Sequence, residues 1–134
     1  MGTGKNARFR ILFMFVLFLS SCINSVRPED LYGRWNYIKV DNLNPADSLT
    51  IVEIRNQSPA IIFSKNKDLV IEWDGKQLSH GTFRLEGKMI RYTEFLEGNR
   101  KREFPFLIKK ITDSELIFET MEQNFTRVTA RKAD

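Results

Sequence analysis

The chain has 134 residues, of which 42% are hydrophobic and 28% charged, and its formal net charge at pH 7 is +4. This length fits a single domain, and the positive charge on its own would favour a nucleic-acid partner. Three of the 21 basic residues, however, are Lys5, Arg8 and Arg10, which lie ahead of an apolar run near the N-terminus. The remaining chain is close to neutral, and its densest basic cluster, RKR at 100–102, has acidic residues nearby on both sides. We therefore expect no nucleic-acid partner.

The N-terminal segment has the layout of a secretory signal peptide. Basic residues come first, nine consecutive apolar residues follow at 11–19, and two serines then precede Cys22, the only cysteine in the chain. A membrane-spanning helix requires about 20 predominantly apolar residues, so this run is too short to be one. The order of charged, apolar and small residues is instead that of a cleaved signal.

The residues LSSC at 19–22 resemble the lipobox of bacterial lipoproteins. That resemblance implies cleavage before Cys22 and attachment of a diacylglyceryl group to its sulfur, and several acyl chains on one residue hold a protein firmly on a bilayer. We accordingly expect a signal peptide at 1–21, a tether at 22–30 and one domain at 31–134, in the cell envelope. Ile23 stands in place of the aspartate that retains lipoproteins in the inner membrane of enteric bacteria, so we predict the outer membrane. The alternative is an ordinary signal peptide that leaves Cys22 as an unmodified thiol.

The rest of the chain alternates apolar and polar residues with the period of two that is typical of β-strands. Turn signals such as Asp74-Gly75 and Glu86-Gly87 separate the segments, and Asp-Gly favours a two-residue hairpin turn. We predict antiparallel strands at 34–40, 49–54, 60–63, 69–73, 81–85, 89–95, 103–111, 115–120 and 125–130. Eight or nine strands joined by successive hairpins indicate an all-β, up-and-down meander that closes into a small barrel. Pro105 lacks a backbone N–H, so it should lie at an edge, a bulge or a crossover.

The motif LYGRW at 31–35 resembles the Gly-x-Trp signature of lipocalins and related calycin barrels. The segments GTFRLEGKMI, ITDSELIF and FTRV are similar to those of lipocalin-like lipoproteins of Bacteroidota, so the likeness covers nearly the whole domain. It implies that Gly33 and Trp35 lie at the closed end of the barrel. It also implies that Trp35 packs against a basic residue of the last strand, which would be Arg127. The alternative is that Trp35 is an ordinary core residue and Arg127 an ordinary surface residue.

Residues able to perform catalysis or to bind a metal are scarce in this sequence. The single histidine, His80, follows Ser79, but neighbours on a strand point to opposite faces and cannot easily act as a base and nucleophile pair. Glu72 and Asp74 share a strand face, but we expect them at an exposed hairpin end. No group of His, Cys and carboxylate residues has metal-ligand spacing. We therefore predict that the protein is not an enzyme and has no catalytic residue, cofactor or bound metal.

Two non-enzymatic functions fit these features. In the first, the barrel encloses a small apolar ligand, lined by the aromatic residues Trp35, Tyr37, Phe83, Tyr92, Phe104 and Phe106. In the second, the same side chains fill the interior, and the protein is an interaction, inhibitor or accessory module for an envelope protein partner. An eight-stranded barrel is just wide enough for either arrangement. The family resemblance favours ligand binding, with the membrane contacted through acylated Cys22.

Overall fold

The computed structural model describes residues 25–120 and 125–134. The predicted signal peptide and the lipid-attachment residue Cys22 lie outside the described residues. The strands are β1 Gly33–Asn42, β2 Ala60–Phe63, β3 Asp68–Trp73, β4 Lys76–Glu86, β5 Met89–Phe95, β6 Lys101–Ile111, β7 Glu115–Thr120 and β8 Thr126–Lys132. The helices are α1 Pro28–Leu31 and α2 Ile51–Gln57, and 3-10 turns occur at Pro45–Asp47 and Glu97–Asn99. No helix in this part of the chain is long and apolar enough to cross a membrane.

The eight strands form one closed antiparallel barrel, in which each strand pairs with its neighbours in sequence and β8 returns to pair with β1. The predicted all-β, up-and-down meander is therefore confirmed. Strands β2, β5 and β7 have the predicted bounds. Strand β4 begins earlier than predicted, at Lys76, because its first residues pair with β3 directly after the turn. That turn is the expected hairpin: Asp74 and Gly75 have φ of 55° and 72°, the left-handed values required at both positions.

The two ends of the barrel differ in what covers them. We call the closed end the one that carries both described termini and the β2–β3, β4–β5 and β6–β7 connections. At this end α1 places the fully buried Leu31 against the core, and the Trp35 indole nitrogen donates to the Leu31 carbonyl at 2.8 Å. The open end carries the β1–β2, β3–β4 and β5–β6 connections.

Residues 28–30 of the predicted tether form most of helix α1. Its first turn is held by Asp30, whose carboxylate accepts the Arg27 backbone N–H at 2.9 Å. That hydrogen bond lowers the pKa of Asp30, because it stabilises the ionised carboxylate. The folded domain therefore begins a few residues before the predicted boundary at Leu31.

The predicted strand at 49–54 is wrong: most of it lies in helix α2, so the barrel has eight strands and not nine. The reason is a capping box around Thr50 and Glu53. The Thr50 hydroxyl accepts the Glu53 backbone N–H at 3.1 Å, and the Glu53 carboxylate accepts the Thr50 N–H at 2.7 Å. This pair satisfies two donors that a helix start otherwise leaves unpaired. Within α2 only Ile54 is buried, and it packs into the core near the open end.

Pro105 lies within strand β6, where it stands opposite Arg91 of β5. The Ile108 backbone N–H points towards β5, where it donates to the Lys88 carbonyl at 2.8 Å. Backbone direction alternates along a strand, so the nitrogen of Pro105 points the other way, towards β7. The described pairing of β6 with β7 starts only at Phe106. The position that would face Pro105 on the β7 side lies outside the described residues, so the expectation of an edge, bulge or crossover at Pro105 stays a prediction.

Candidate functional site

All six aromatic residues predicted to line a ligand site face the interior of the barrel, where they join or pack against the buried core. Trp35 is packed at the closed end. Phe83 contacts Phe63 with ring centres 5.1 Å apart in an edge-on arrangement, and it stands directly opposite Tyr92 in the β4–β5 pairing. The other four, Tyr37, Tyr92, Phe104 and Phe106, lie further along the interior, towards the open end.

The basic residue that packs on Trp35 is Lys132, so the expected contact with Arg127 is wrong. The Lys132 ammonium lies 4.6 Å from the centre of the Trp35 ring and donates to the Tyr32 carbonyl. A Cβ on Gly33, which has φ of 121°, would come within 2.9 Å of Lys132. The Lys132 chain end is flexible and could move aside, so it is the φ of 121°, which residues with a side chain rarely adopt, that requires glycine at this position.

Arg127 lies on the outer surface, where its Nε donates to the Glu119 carboxylate at 2.8 Å. The physical reason is the strand period of two. Val128, Ala130 and Lys132 occupy one face of β8, and that face is the inner one, so Arg127 must point outwards. The alternation of small and apolar residues with Lys132 was the sequence signal that could have identified the correct partner.

Five aromatic rings follow one side of the interior and form a continuous wall, which we call the aromatic wall. Tyr37 contacts Phe118 with ring centres 6.1 Å apart, Phe118 contacts Phe106 at 5.4 Å, and Phe106 contacts Tyr92 at 5.9 Å. Phe104 continues it from Tyr92 at 6.4 Å. Ring pairs at these separations attract one another. Phe118 was not among the predicted lining residues, although its alternation with Leu116 marked it for the inner face.

A polar cluster adjoins the aromatic wall near the open end. The hydroxyl oxygens of Tyr92 and Ser79 lie 2.5 Å apart, and Ser79 in turn donates to the Glu94 carboxylate. The other oxygen of Glu94 accepts from Arg102 at 2.9 Å, and the Arg102 guanidinium lies 4.3 Å over the Phe104 ring. Sequence reasoning missed this cluster, because its members come from three different strands. Burial raises the pKa of Tyr92 to about 12, with an opposing effect from its hydrogen bond with Ser79 and a further increase from the Glu94 charge.

The Tyr37 hydroxyl has no hydrogen-bond partner among the described residues, where every fully buried side-chain nitrogen or oxygen has one, so this hydroxyl borders space that a water-sized molecule can reach. Only 8% of the Tyr37 surface is exposed, and its ring faces the interior opposite Ala130. Burial raises the pKa of this phenol, so at neutral pH it keeps its proton. A protonated phenol can donate one hydrogen bond to an acceptor that enters the barrel.

Other residues considered for chemistry lie apart from this region. His80 is on the outer face, with its ring 5.8 Å from that of Phe95, while Ser79 faces inwards as the strand period requires. Glu72 forms an ion pair with Arg34. Among residues 25–120 and 125–134, no group of three or more His, Cys, Asp or Glu side chains is placed to hold a metal ion. What the barrel interior can offer a bound molecule is apolar contact with the aromatic wall and hydrogen bonds from side chains such as Tyr37.

No family model matches the chain, and no curated protein matches it either.

Proposed function

We propose that this protein is a lipid-anchored envelope lipoprotein with a lipocalin-like barrel that binds one small hydrophobic ligand in the half of its interior nearer the open end. In this proposal it is a carrier or receptor and not an enzyme, and it uses no cofactor. The observation that carries the proposal is the Tyr37 hydroxyl, which belongs to a largely buried, inward-facing side chain, has no hydrogen-bond partner in the described chain and is not sealed from a water-sized molecule.

A ligand that covered the Tyr37 hydroxyl without accepting its hydrogen bond would leave a buried donor unpaired, at a cost of about 1–3 kcal/mol. A ligand oxygen atom that accepts this hydrogen bond avoids that cost. The ligand class that fits is therefore a mainly apolar molecule with one hydrogen-bond acceptor, such as a carbonyl, ester or ether oxygen.

The aromatic wall supplies apolar contact beside that donor. Tyr37, Phe118 and Phe106 lie in sequence along it, so a ligand that reaches the hydroxyl also touches ring surface. Binding sites for small molecules are typically apolar with a few convergent polar groups. Because an eight-stranded barrel has little interior space, the ligand must be small.

A second candidate is a filled barrel that acts through its outer surface as an interaction, inhibitor or accessory module. The observation that favours it is the burial of the aromatic wall, whose rings already contact one another around Phe106. In that case, truncating Phe106 to alanine leaves a cavity and lowers stability by about 3–5 kcal/mol. Because a filled barrel binds no ligand, Phe106→Ala would change no ligand affinity.

The test of ligand binding compares two identical substitutions. Tyr37→Phe removes the inner hydroxyl, so we expect the affinity for an acceptor-bearing ligand, found in a panel of fluorescent fatty-acid and sterol-like probes, to fall roughly two- to tenfold. Its free energy of unfolding should stay equal or rise. Tyr32→Phe is the control, because the Tyr32 hydroxyl bonds Lys65 and Lys67 outside the barrel. Equal affinities for both variants and wild type, or no uptake of any probe, would contradict the proposal.

The lipid anchor is proposed from the sequence around Cys22. If the sulfur of Cys22 carries the diacylglyceryl group, growth with a palmitate analogue should label the wild-type protein, and Cys22→Ser should abolish the label. Equal labelling of the two proteins would reject the anchor and leave the barrel's ligand site unaffected.

A further inference from the structure

The inward-facing side chains change character at the open end of the barrel. Deeper in the interior they are mostly hydrophobic, and the one polar or charged residue that is buried in the described chain, Glu119, faces outwards. At the open end, several strands carry polar side chains on their inner faces instead. We call these six residues the polar collar: Asn42, Ser79, Glu94, Arg102, Thr120 and Thr126.

One side of the polar collar lies directly beyond the aromatic wall. Glu94 stands opposite Arg102 in the β5–β6 pairing, and two residues deeper the same pairing joins Tyr92 to Phe104. Because alternate residues of a strand share a face, Glu94 and Arg102 face the interior as those two rings do. Ser79 completes this side through its hydrogen bond to the Glu94 carboxylate.

The other side of the polar collar consists of uncharged side chains. Thr126 pairs with Thr120 on one neighbouring strand and with Asn42 on the other. The Asn42 amide donates to the Thr126 hydroxyl at 3.4 Å, and the Thr120 hydroxyl accepts the Thr126 backbone N–H at 3.2 Å. All three residues are half-buried, so part of each remains accessible. A polar group at the barrel entrance therefore has hydrogen-bonding side chains on both sides.

The two charged residues of the polar collar neutralise each other. The Arg102 Nε and Nη2 groups donate to one oxygen of Glu94, at 3.2 and 2.9 Å, and Ser79 donates to the other oxygen. The chain around the entrance is balanced as well, with four acidic and four basic side chains in residues 43–59, 74–76 and 96–101. This end of the barrel thus has no excess charge in its described residues to compensate a charged ligand group.

The balance of charges favours a neutral polar group at the polar collar. Three of the five N–H donors of Arg102 have no partner in the described part of the chain, and this side chain is 58% exposed, so they can donate to a ligand. A carboxylate bound there would be repelled by Glu94, whose side chain is only 13% exposed and therefore weakly screened. An ammonium group would be repelled by Arg102. A hydroxyl or amide group can accept from Arg102 without either repulsion.

We propose that the polar collar binds the head group of the ligand, and that this head group is uncharged and carries hydroxyl or amide groups. The inference rests on the proposed ligand site and names its ligand class. That class is a neutral amphipathic molecule whose apolar part lies along the aromatic wall, with its head group at the open end. Molecules with the same tail and a charged head group are poorer ligands.

The test compares the lauroyl esters of glycerol, glycolate and choline, which share their tail and ester carbonyl and differ in head-group charge. Binding to the full-length Cys22→Ser protein is measured by isothermal titration calorimetry in detergent-free buffer at neutral pH, below the aggregation concentration of each ester. We expect the neutral glycerol ester to bind roughly three- to tenfold more tightly than the anionic glycolate ester and the cationic choline ester.

Removal of one charge from the pair should redirect this preference. Glu94→Gln leaves the Arg102 charge uncompensated and should make the glycolate ester the tightest ligand, whereas Arg102→Gln should favour the choline ester. The double variant has neither charge and should again prefer the glycerol ester. Lys101→Gln is the matched control, because it removes a positive charge one residue away on the outer face, where the Lys101 ammonium lies over the Phe95 ring. Its order of affinities should equal that of the parent protein.

A charged ester that binds the parent protein as tightly as the glycerol ester, or more tightly, would overturn the inference and leave the ligand site standing. A glycerol preference that both single variants retain would also overturn it. Binding of none of the esters would reject the proposed ligand site, and the inference with it. The order of affinities in the parent protein requires no variant, so it decides the inference even if a single variant fails to fold.

Discussion

Lys132 shows that a residue's position along a strand determines whether its side chain faces the core or the solvent. It is the last residue of β8, yet it faces inwards, lies on the Trp35 ring and donates to the Tyr32 carbonyl. The sequence resemblance led to Arg127, which the strand period places on the opposite face. A basic residue of the last strand does pack on Trp35, as expected. Which residue it is depends on which alternate side chains of β8 face the core.

Removal of the Lys132 ammonium should destabilise the closed end. Lys132→Met keeps the aliphatic stem but loses a cation–π contact, about 0.5–2 kcal/mol, and a charged hydrogen bond, about 1.5–3 kcal/mol. We expect a loss of roughly 2–4 kcal/mol in denaturant unfolding, because the two terms overlap in one group. The control is Arg131→Met, one residue earlier on the exposed face, with an expected change within about 0.5 kcal/mol. Equal losses for the two variants would show that Lys132 does not support Trp35.

Helix α2 is the element that sequence pattern predicted wrongly. Its segment is rich in β-branched residues, which favours a strand, but the Thr50 and Glu53 pair forms a capping box that starts a helix. Local side-chain hydrogen bonds outweigh intrinsic preference in such a short segment. The result matters for the candidate site, because this helix carries Ile54 into the core and leaves Ile51 and Val52 in solvent.

Loss of the cap should loosen α2 before the barrel unfolds. Thr50→Ala removes a cap worth about 1 kcal/mol, so amide hydrogen exchange at Ile54 and Ser58 should speed up roughly fivefold. Both amides donate within this helix, to the Thr50 and Ile54 carbonyls. Thr50→Ser retains the hydroxyl and should restore most of the protection. Exchange that is unchanged in Thr50→Ala, or equally fast in both variants, would show that the cap does not hold the helix.

At the scale of the whole molecule, the barrel was predictable and the site was only partly so. Period-two alternation and turns such as Asp74-Gly75 specify successive hairpins, and successive hairpins of this number close on themselves. The inner aromatic residues were also predictable, because successive side chains of a strand alternate between the inner and outer faces of the barrel. The cluster of Ser79, Tyr92 and Glu94 was not, since it depends on the register between strands that meet only in the folded barrel.

The central claim is that the interior near Tyr37 holds a small hydrophobic ligand. The most direct measurement is native mass spectrometry of the protein purified from its native cells, in a mild detergent because we propose a lipid anchor. We expect a mass above that of the chain, with any acyl groups it carries, by one small molecule, which leaves on collisional activation and whose occupancy falls in Phe106→Ala and Tyr37→Phe. A single species with the mass of the chain alone, and no adduct after incubation with fatty-acid and sterol-like molecules, would contradict the account.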